Sequence, residues 1–318
     1  MAQRTTRLRL VGPPAEAPAS PQARTLGAVE LVPGRVRAAV LSASGRVLDR
    51  AEAAYAPDAR GRDEVDAALA AAAGVFADRP PAGIGVAAAG IVDPAAGLIV
   101  GVDDVPALRG YPVCERLGAL AGVPVRVEHR ARLQVLGDRW FGAGRGRRTF
   151  ASVSTGEVLG VGILYEGEVV APLGGRSGAH MAVTGGDERC TCGNTGCWKT
   201  VATTRWLRAR AAALGLGPRV DLGTLVVSAD GRARALVAEY ADNLVLGLVN
   251  VQQLFAPGLF VLHGEARDGG EHFRALLEER LRRDGTAPGA EPPRVVVADT
   301  AVDDIALLGG AGLVLSHR

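Results

Sequence analysis

The chain has 318 residues, long enough for two domains of ordinary size, and 48% of them are hydrophobic, which allows a large buried core. Aromatic residues make up only 4%, so this core must consist mainly of Ala, Val and Leu. The formal net charge of +2 excludes a strong electrostatic field toward nucleic acid or an acidic membrane surface.

The sequence shows none of the apolar segments that direct a chain to a membrane. It has no run of about 18 or more apolar residues, so no transmembrane helix is expected. The first residues, MAQRTTRLRLVGPP, lack the apolar core of a secretory signal peptide. We therefore expect a cytoplasmic protein with reduced thiols and no membrane partner.

Residues 1–24 are rich in Arg, Pro and Ala and are predicted to form a disordered tail or linker. From Thr25 onward, apolar runs alternate with glycine-containing turns, a pattern that predicts consecutive strands. In the first half, strands are predicted at residues 25–31, 35–42, 47–53, 82–93 and 122–128. Helices are predicted at 63–77, with Asp63 as the N-cap, and at 130–144.

The second half repeats this scheme. Strands are predicted at residues 150–155, 160–170 (a pair turning at Gly167), 259–264 and 294–300. Helices are predicted at residues 203–213, 233–255, 270–283 and 303–317. The alternation of strands and helices predicts an α/β protein with two lobes of similar plan and a cleft between them.

Three of the four cysteines lie within eight residues, and a histidine precedes them by ten residues. A thiolate cluster with a nearby imidazole supplies the four soft ligands of a closed, tetrahedral structural zinc site. The predicted ligands are His180, Cys190, Cys192 and Cys197. Disulfides or inert thiols are the alternative, but dense cysteines without a secretory signal favour a metal.

Two glycines lie within the cysteine loop, and the fourth cysteine lies elsewhere in the chain. Gly193 and Gly196 allow a tight loop to turn its sulfurs inward, because glycine tolerates positive φ. Cys114 lies in an apolar, helix-like run and is predicted to be a plain core thiol.

The glycine-rich turn, the histidine, and Cys-x-Cys-Gly-x-x-Gly-Cys ten residues later resemble the ROK family (repressor, open reading frame, kinase) of bacterial sugar kinases and sugar-responsive repressors. Weaker similarity extends from Thr25 to the C-terminus. The resemblance implies an actin-like, ribonuclease-H-like sugar kinase fold and a homodimer. It implies a small lobe over 25–132 joined by a helix at 302–318, and a large lobe over 133–301 with a zinc knuckle at 180–197.

The family's first phosphate loop reads Asp-Ile/Leu-Gly-Gly-Thr-Lys, and its counterpart here is degenerate. The matching residues are Glu30, Leu31, Val32, Pro33, Gly34 and Arg35. Pro33 has no N–H to offer a phosphate, Val32 blocks the close approach that glycine allows, and Glu30 alone keeps the acid.

The other two nucleotide-binding segments are also altered. The second loop, Gly-Thr-Gly-Ile-Gly-Ala-Gly in the family, begins here with Gly156, Glu157, Val158, Leu159 and Gly160. Glu157 is expected to direct a carboxylate at the phosphates, which repels them. The glycines on the adenosine side become His263, Gly264, Glu265 and Ala266, whose side chains are expected to fill the place of the nucleotide.

The family's catalytic base is the aspartate of a Glu-Asn-Asp turn, and the matching triplet here is Glu128, His129 and Arg130. An arginine cannot accept a proton near neutral pH. Together with the altered phosphate loops, this predicts a pseudokinase that does not transfer phosphate from ATP.

The residues that contact sugar in the family also differ. Their counterparts are Asp104, His129, Arg130, Ser177, His180 and Lys199, of which only His180 matches. Two carboxylates are lost and two cations gained, so the resemblance implies a pocket suited to an anionic, sugar-derived ligand. Alternatively, Arg130 and Lys199 pair with Asp104 and Glu128 and close the cleft.

Three functions are compatible with these observations. The first is a catalytically silent, carbohydrate-binding member of the regulator branch. This possibility is favoured because Arg7–Leu10 resembles the last strand of the winged helix that precedes the ROK domain in repressors. Nucleic acid is not expected to bind this chain alone. The second is a repurposed enzyme using His129, Arg130 and Lys199 on an anionic metabolite. The third is an atypical ATP-dependent sugar kinase.

Overall fold

The computed structural model of the protein describes residues 25–171, 177–286, 289–299 and 304–317. These residues form two compact units. Unit 1 comprises the described residues of 1–148, 167–176 and 303–318, and unit 2 those of 149–166 and 177–302. The sequence prediction divided the chain at residue 132, whereas unit 1 continues to residue 148. The predicted tail, with its winged-helix-like segment, lies outside the described residues.

Unit 1 is built on a five-stranded sheet of order β3-β2-β1-β4-β7. The strands of this unit are β1 (Leu26–Val32), β2 (Arg35–Leu41), β3 (Val47–Ala54), β4 (Ile84–Ala88), β5 (Ile91–Asp93), β6 (Leu98–Gly101), β7 (Val125–His129) and β10 (Glu168–Val169). Its helices are α1 (Arg62–Ala73), α2 (Val113–Ala121), α3 (Arg130–Phe141) and α9 (Ile305–Leu315). Strands β1 to β3 are an antiparallel meander, and β4 and β7 run parallel to β1.

The apolar runs of β1 and β2 are buried on both faces of this sheet. Val29 and Leu31 face one hydrophobic core, whereas Leu26 and Ala28 face a second core that includes Leu307 of α9. Burial on both faces explains why these strands read as continuous apolar runs and not as an alternating pattern.

Two predictions for the first half are wrong in detail. The strand predicted at 82–93 is two strands, β4 and β5, because the chain turns at Gly90, whose φ is +81°. A Cβ at that position would also lie 2.3 Å from the carbonyl oxygen of Gly101. Asp63 is not the N-cap of α1, because the cap is Gly61. Asp63 lies in the first turn, where its negative charge interacts favourably with the positive end of the helix dipole.

Helix α9 packs against β1, β4 and α3 with backbone almost touching backbone. A Cβ on Gly85 of β4 would lie 2.0 Å from the carbonyl oxygen of Gly310 of α9. A Cβ on Gly309 would lie 2.6 Å from the carbonyl oxygen of Leu133 of α3. The glycines of α9 are thus required for the close approach that joins the C-terminal segment to the first sheet.

Unit 2 contains a sheet in which β9, β8, β11 and β12 are neighbours in that order. Its strands are β8 (Phe150–Thr155), β9 (Gly160–Tyr165), β11 (Leu259–Gly264) and β12 (Arg294–Val297). Its helices are α4 (Trp198–Val201), α5 (Thr204–Ala213), α6 (Leu222–Val226), α7 (Gly231–Phe255) and α8 (Gly270–Gly285). Strand β9 is antiparallel to β8, and the others are parallel. No described helix, α7 included, is apolar over enough length to traverse a bilayer.

We expect Gly85→Ala to destabilise unit 1, because the added methyl group has no room against the backbone of α9. Overpacking of this kind costs about 1–3 kcal/mol, and a rigid backbone neighbour places it at the upper end of that range. Urea denaturation followed by tryptophan fluorescence measures the loss. Gly74→Ala is the matched control, because a Cβ there meets nothing within 4 Å and its φ is −51°. Equal denaturation midpoints for the two variants would contradict the proposed close approach.

Candidate metal centre and motif positions

The predicted cysteine–histidine cluster is assembled in unit 2. The Nδ1 atom of His180 lies 3.4 Å from the Sγ atom of Cys190, and the Sγ atoms of Cys192 and Cys197 are 3.6 Å apart. All four candidate ligand atoms lie within 4.8 Å of one another. Sulfurs bound to one tetrahedral zinc ion at ~2.3 Å would be about 3.8 Å apart, so the spacing fits such an ion.

The loop that presents these sulfurs depends on its two glycines. Gly193 and Gly196 have φ values of +89° and +68°. A Cβ on Gly196 would lie 2.2 Å from the carbonyl oxygen of Thr184, so no other residue fits there without a shift. The N–H of Cys190 donates to the carbonyl oxygen of Asn194 at 2.8 Å, which closes the turn.

The cluster is joined to the core of unit 2 through Trp198, which directly follows Cys197. The indole ring is fully buried, and its Nε1–H donates to the carbonyl oxygen of Asn243 on α7 at 2.9 Å. It lies so close to α7 that a Cβ on Gly247 would be 2.3 Å from the ring. The position of the last cysteine is therefore set by core packing as well as by its own loop.

The electrostatics of the cluster favour a cation. No disulfide joins any of the four cysteines, all of which the structure describes. Burial, followed by hydrogen bonding to Cys192 and Cys190, raises the pKa of Cys197 to about 12. A cation bound among the sulfurs would displace these protons and stabilise the thiolates. Three sulfurs and one imidazole are the donor set of a structural zinc site, with no place for a reactive water.

The position of the first phosphate loop, in unit 1, is a tight hairpin turn between β1 and β2. Gly34 has a φ of +81°, and the N–H of Tyr55 donates to its carbonyl oxygen at 3.1 Å. The Tyr55 hydroxyl donates to the carbonyl oxygen of Val32 at 2.7 Å, and burial raises the pKa of this phenol to about 12. Tyr55, which sequence reasoning missed, holds the turn closed around Pro33.

The acid of that motif, Glu30, is an ion-pair partner of three arginines. Its carboxylate is 1% exposed; Oε2 accepts from the Nε and Nη2 of Arg37 at 2.9 and 2.5 Å. The Nη2 of Arg130, at the position of the family's base, lies 3.0 Å from Oε1. The Nη2 of Arg35 lies 3.9 Å from Oε2, too far for a hydrogen bond.

These contacts correct the alternative pairing considered for Arg130, because its partner is Glu30 and not Asp104 or Glu128. The Oε1 of Glu128 accepts from Arg132, the third residue of α3, at 3.2 Å and from the N–H of His129 at 2.7 Å. Burial is the main cause that raises the pKa of Glu128.

Two other unit 1 positions have local structural roles. The Nδ1 of His129 accepts from the N–H of Ala131 at 3.2 Å, so this side chain caps α3. Asp104 is exposed in a turn with a φ of +64°, a conformation that Asp and Asn tolerate better than other residues.

In unit 2, the second phosphate loop turns at Gly156, whose φ is +117°. The N–H of Thr204, which begins α5, donates to the Gly156 carbonyl oxygen at 3.1 Å. The Glu157 carboxylate lies 2.5 Å from a guanidinium nitrogen of Arg208, and both side chains are about half exposed. The sequence predicted a repulsive carboxylate here, and the structure adds a neighbouring cation that reduces its effect.

The adenosine-side segment contains a partly buried carboxyl group. Gly264 keeps a φ of +86°, and a Cβ there would lie 2.1 Å from the carbonyl oxygen of Thr155. The next residue, Glu265, accepts on Oε2 from the hydroxyls of Thr204 at 2.6 Å and Tyr240 at 3.1 Å. Burial is the largest cause that raises the pKa of Glu265. Sequence reasoning found the glutamate but missed Thr204 and Tyr240, since neither is near it in the chain.

The remaining predicted ligand contacts of unit 2 lie beside the cysteine loop. The Nζ of Lys199 donates to the Thr191 hydroxyl at 3.3 Å. The carbonyl oxygen of Ser177 accepts from the N–H of Val161 at 2.7 Å. With His180, these residues belong to unit 2, whereas Asp104, His129 and Arg130 belong to unit 1.

The strand order and the helices define an α/β protein with the sugar kinase fold. The sequence profile of the ROK family matches residues 27–317, and the chain belongs to that family.

Relatives include both repressors and kinases. A putative xylose repressor from a Caldicellulosiruptor species is 28% identical over 63% of this chain. The matched region is only 53% of the length of that repressor. A ROK glucokinase from Streptomyces griseus, solved with glucose and AMPPNP, is 27% identical with a TM-score of 0.74, over 91% of this chain and 98% of its own. A ROK transcriptional regulator, a homologue of Escherichia coli MLC, shares the fold with a TM-score of 0.80 at 19% identity, over 92% of this chain and 78% of its own.

The raised pKa of the partly buried Glu265 predicts a pH dependence of stability. Because its pKa is raised in the folded state, its contribution to stability is fully present below the ordinary pKa of 4.5 and is lost as the pH rises through the raised value. Glu265→Gln does not titrate, so its free energy of unfolding relative to the parent protein should increase with pH. Urea denaturation at a series of pH values measures this difference.

Glu271→Gln is the control with the opposite sign, because a hydrogen bond from Arg274 lowers the pKa of that exposed carboxyl group. Its contribution is present above the ordinary pKa and lost as the pH falls. The stability of this variant relative to the parent should therefore fall with rising pH. Parallel pH curves for Glu265→Gln and the parent would show that Glu265 is not desolvated.

Proposed function

We propose that this ROK protein is a catalytically silent, zinc-stabilised binding protein for a sugar-derived or anionic metabolite, with a role in regulation. Its ligand-binding residues are proposed as Asp104, His129 and Arg130 in unit 1, and as Ser177, His180 and Lys199 in unit 2. A homodimer remains an expectation from the family resemblance, and a cytoplasmic location remains an expectation from the sequence.

The ion pair between Arg130 and Glu30 carries this proposal. A sugar kinase needs a base that takes the proton from the attacking hydroxyl, and loss of such a base lowers the rate by about 10²–10⁴-fold. Arg130 stands where the family resemblance expects that base, 3.0 Å from the buried carboxylate of Glu30. A guanidinium cannot accept the proton, and the neighbouring carboxylate is held by Arg37 as well.

The nucleotide-binding segments support the same conclusion. In the first loop Pro33 lacks an N–H, and Tyr55 holds the carbonyl oxygens of Val32 and Gly34. On the adenosine side, Glu265 is partly buried and hydrogen-bonded where the family has glycine. Each change alone is compatible with a slow kinase, but together they remove the positioning and the charge stabilisation on which phosphoryl transfer depends.

An experiment must distinguish a sugar kinase from a sugar-binding regulator, since the relatives include glucokinases as well as repressors. We expect no phosphorylation of any hexose, N-acetylhexosamine or pentose in a coupled assay with ATP and Mg²⁺, and no shift of the unfolding temperature by nucleotide. A panel of sugars, sugar acids and sugar phosphates should contain at least one compound that raises that temperature. Turnover of any sugar at the rate of an ordinary kinase would refute the proposal.

Zinc is the proposed metal of the cysteine–histidine cluster. It would be held by His180, Cys190, Cys192 and Cys197, and it would order the loop that leads into Trp198. With four protein ligands it has a structural role and activates no water.

Purified protein is expected to contain about one zinc ion per chain, measured by inductively coupled plasma mass spectrometry. Cys197→Ser should lose the metal and unfold at a lower temperature, because metal binding is coupled to folding. Cys114→Ser is the matched control, since that partly buried thiol of unit 1 is not in the cluster. Full zinc content in Cys197→Ser, or none in the parent protein purified without chelator, would refute the assignment.

A further inference from the structure

A strongly basic segment ends helix α3 and continues beyond it in unit 1. Residues 139–148 contain no acidic residue and four arginines, Arg139, Arg145, Arg147 and Arg148. The last three are exposed, and they lie in residues 142–148, which we call the basic loop. Four positive charges exceed the net charge of +2 of the whole chain, so the remaining residues carry a net negative charge. The overall charge, from which we expected no affinity for nucleic acid, therefore conceals a local basic surface.

Backbone hydrogen bonds give the basic loop a defined conformation. The N–H of Arg145 donates to the carbonyl oxygen of Gly142 at 3.3 Å, and that of Arg147 to the carbonyl oxygen of Gly144 at 3.1 Å. Gly146 has a φ of +75°, a conformation that glycine adopts without strain. The two turns hold the arginines on a fixed backbone, which lowers the entropy that a partner must remove on binding.

Two arginines of this segment approach each other beside Gly167. A Cβ on Gly167 would lie 3.9 Å from the Nη1 of Arg139 and 3.9 Å from the Nη2 of Arg148. The Nη1 of Arg139 donates to the carbonyl oxygen of Gly167 at 2.6 Å, which fixes that guanidinium. Burial, followed by the positive charge of Arg148, lowers the pKa of Arg139. An anion bound at this surface would relieve the repulsion between the two charges.

The other two arginines of the basic loop have no partner within the protein. Among the residues that the structure describes, the side chains of Arg145 and Arg147 form neither an ion pair nor a hydrogen bond. Exposed arginines elsewhere in unit 1 do form ion pairs, as Arg116 does with Asp66 at 3.8 Å. Arg145 and Arg147 therefore keep all five N–H donors of each guanidinium for a ligand.

The basic loop is remote from the position that the family resemblance assigns to the catalytic base. Arg130 begins α3, whereas the basic loop follows Phe141, the last residue of that helix. A helix of 12 residues is about 18 Å long, so the two positions lie at opposite ends of α3. The negative end of the helix dipole lies beside the basic loop, which explains why the protein tolerates this cluster of positive charge.

The composition of the basic loop favours a nucleic acid over a protein or a membrane. Guanidinium groups form paired hydrogen bonds with phosphate oxygens. Apart from arginine the loop contains only glycine and alanine, so it lacks the large apolar anchors of protein interfaces and of membrane insertion. It also lacks an aromatic side chain on which an unpaired base could stack, which favours a double strand over a single strand.

We propose that the basic loop binds the phosphate backbone of double-stranded nucleic acid without reading its sequence. Arg145 and Arg147 contact the phosphates, and Arg148 adds to the positive field beside them. Contacts with phosphates alone give sequence-independent binding that weakens steeply as the salt concentration rises. This inference goes beyond the proposed function and does not depend on it, because the metabolite-binding residue proposed in α3 lies at the other end of that helix.

Fluorescence anisotropy tests the proposal, with the full chain titrated into short labelled DNA and RNA duplexes of mixed sequence over a series of salt concentrations. We expect binding at low salt that does not change when the sequence is scrambled. Arg145→Gln/Arg147→Gln should weaken it by about tenfold or more and lower the slope of log K against log salt by about two, since each phosphate contact contributes about 0.9. Tighter binding of one duplex identifies DNA or RNA as the source of the phosphates.

Arg60→Gln/Arg79→Gln is the matched control. Both arginines are exposed in unit 1, and each lies close in the chain to an aspartate, Asp58 and Asp78 respectively. This variant loses the same charge outside the basic loop, so it should keep the affinity and the salt slope of the parent protein. Residues 1–24, which contain arginines of their own, are unchanged in both variants, so the difference between the variants reports on the basic loop alone. Circular dichroism checks that both variants are folded.

The proposal is overturned if neither duplex binds at low salt, or if the two double variants weaken binding equally. It is also overturned if labelled polyglutamate binds through Arg145 and Arg147 while neither duplex binds, because the partner would then be an acidic protein. A failure of the proposed function is a separate result. Turnover of a sugar, or the absence of any stabilising metabolite, would refute that function and leave duplex binding by the basic loop unchanged.

Discussion

A buried carboxylate on the central strand of the first sheet is the constraint on which the proposed function depends. Leaving Glu30 unpaired in the interior would cost several kcal/mol, so a positive partner is obligatory. Arg37 provides it across the β1–β2 ladder, and Arg130 adds a second contact from the start of α3. Arg130, the residue that the family resemblance aligns with the catalytic base, is thus part of the ion-pair network of a buried acid.

The cysteine–histidine cluster shows how a local motif is tied to the core. Its four ligand atoms converge within one loop, but the loop continues directly into Trp198, whose ring packs against α7. A metal ion bound there would stabilise the loop and the core together, because neither can shift without the other. This coupling explains why a structural metal is compatible with a protein whose catalytic motifs have changed.

In unit 2, the acid in the altered adenosine-side segment is stabilised by hydrogen bonds. Glu265 accepts two hydroxyl hydrogen bonds, from Thr204 and Tyr240, and forms no ion pair with any described residue. Its raised pKa, like that of Glu128, follows from burial. Lost glycines have therefore been replaced by side chains with internal partners, and the replacements are integrated into the fold. The ROK relatives share this fold and include both repressors and kinases.

The sequence by itself determined most of the strands and helices and the candidate metal ligands, because both depend on neighbours in the chain. Strand β11 and the start of α8 were predicted to the residue, and the ligand spacing from His180 to Cys197 needs only one loop. Only the tertiary structure decided the partner of Arg130. Glu30 lies 100 positions away, on a strand separated from β7 by β4, and no periodicity encodes which of several acids a guanidinium reaches. Long-range ion pairs follow from strand order, which local sequence does not specify.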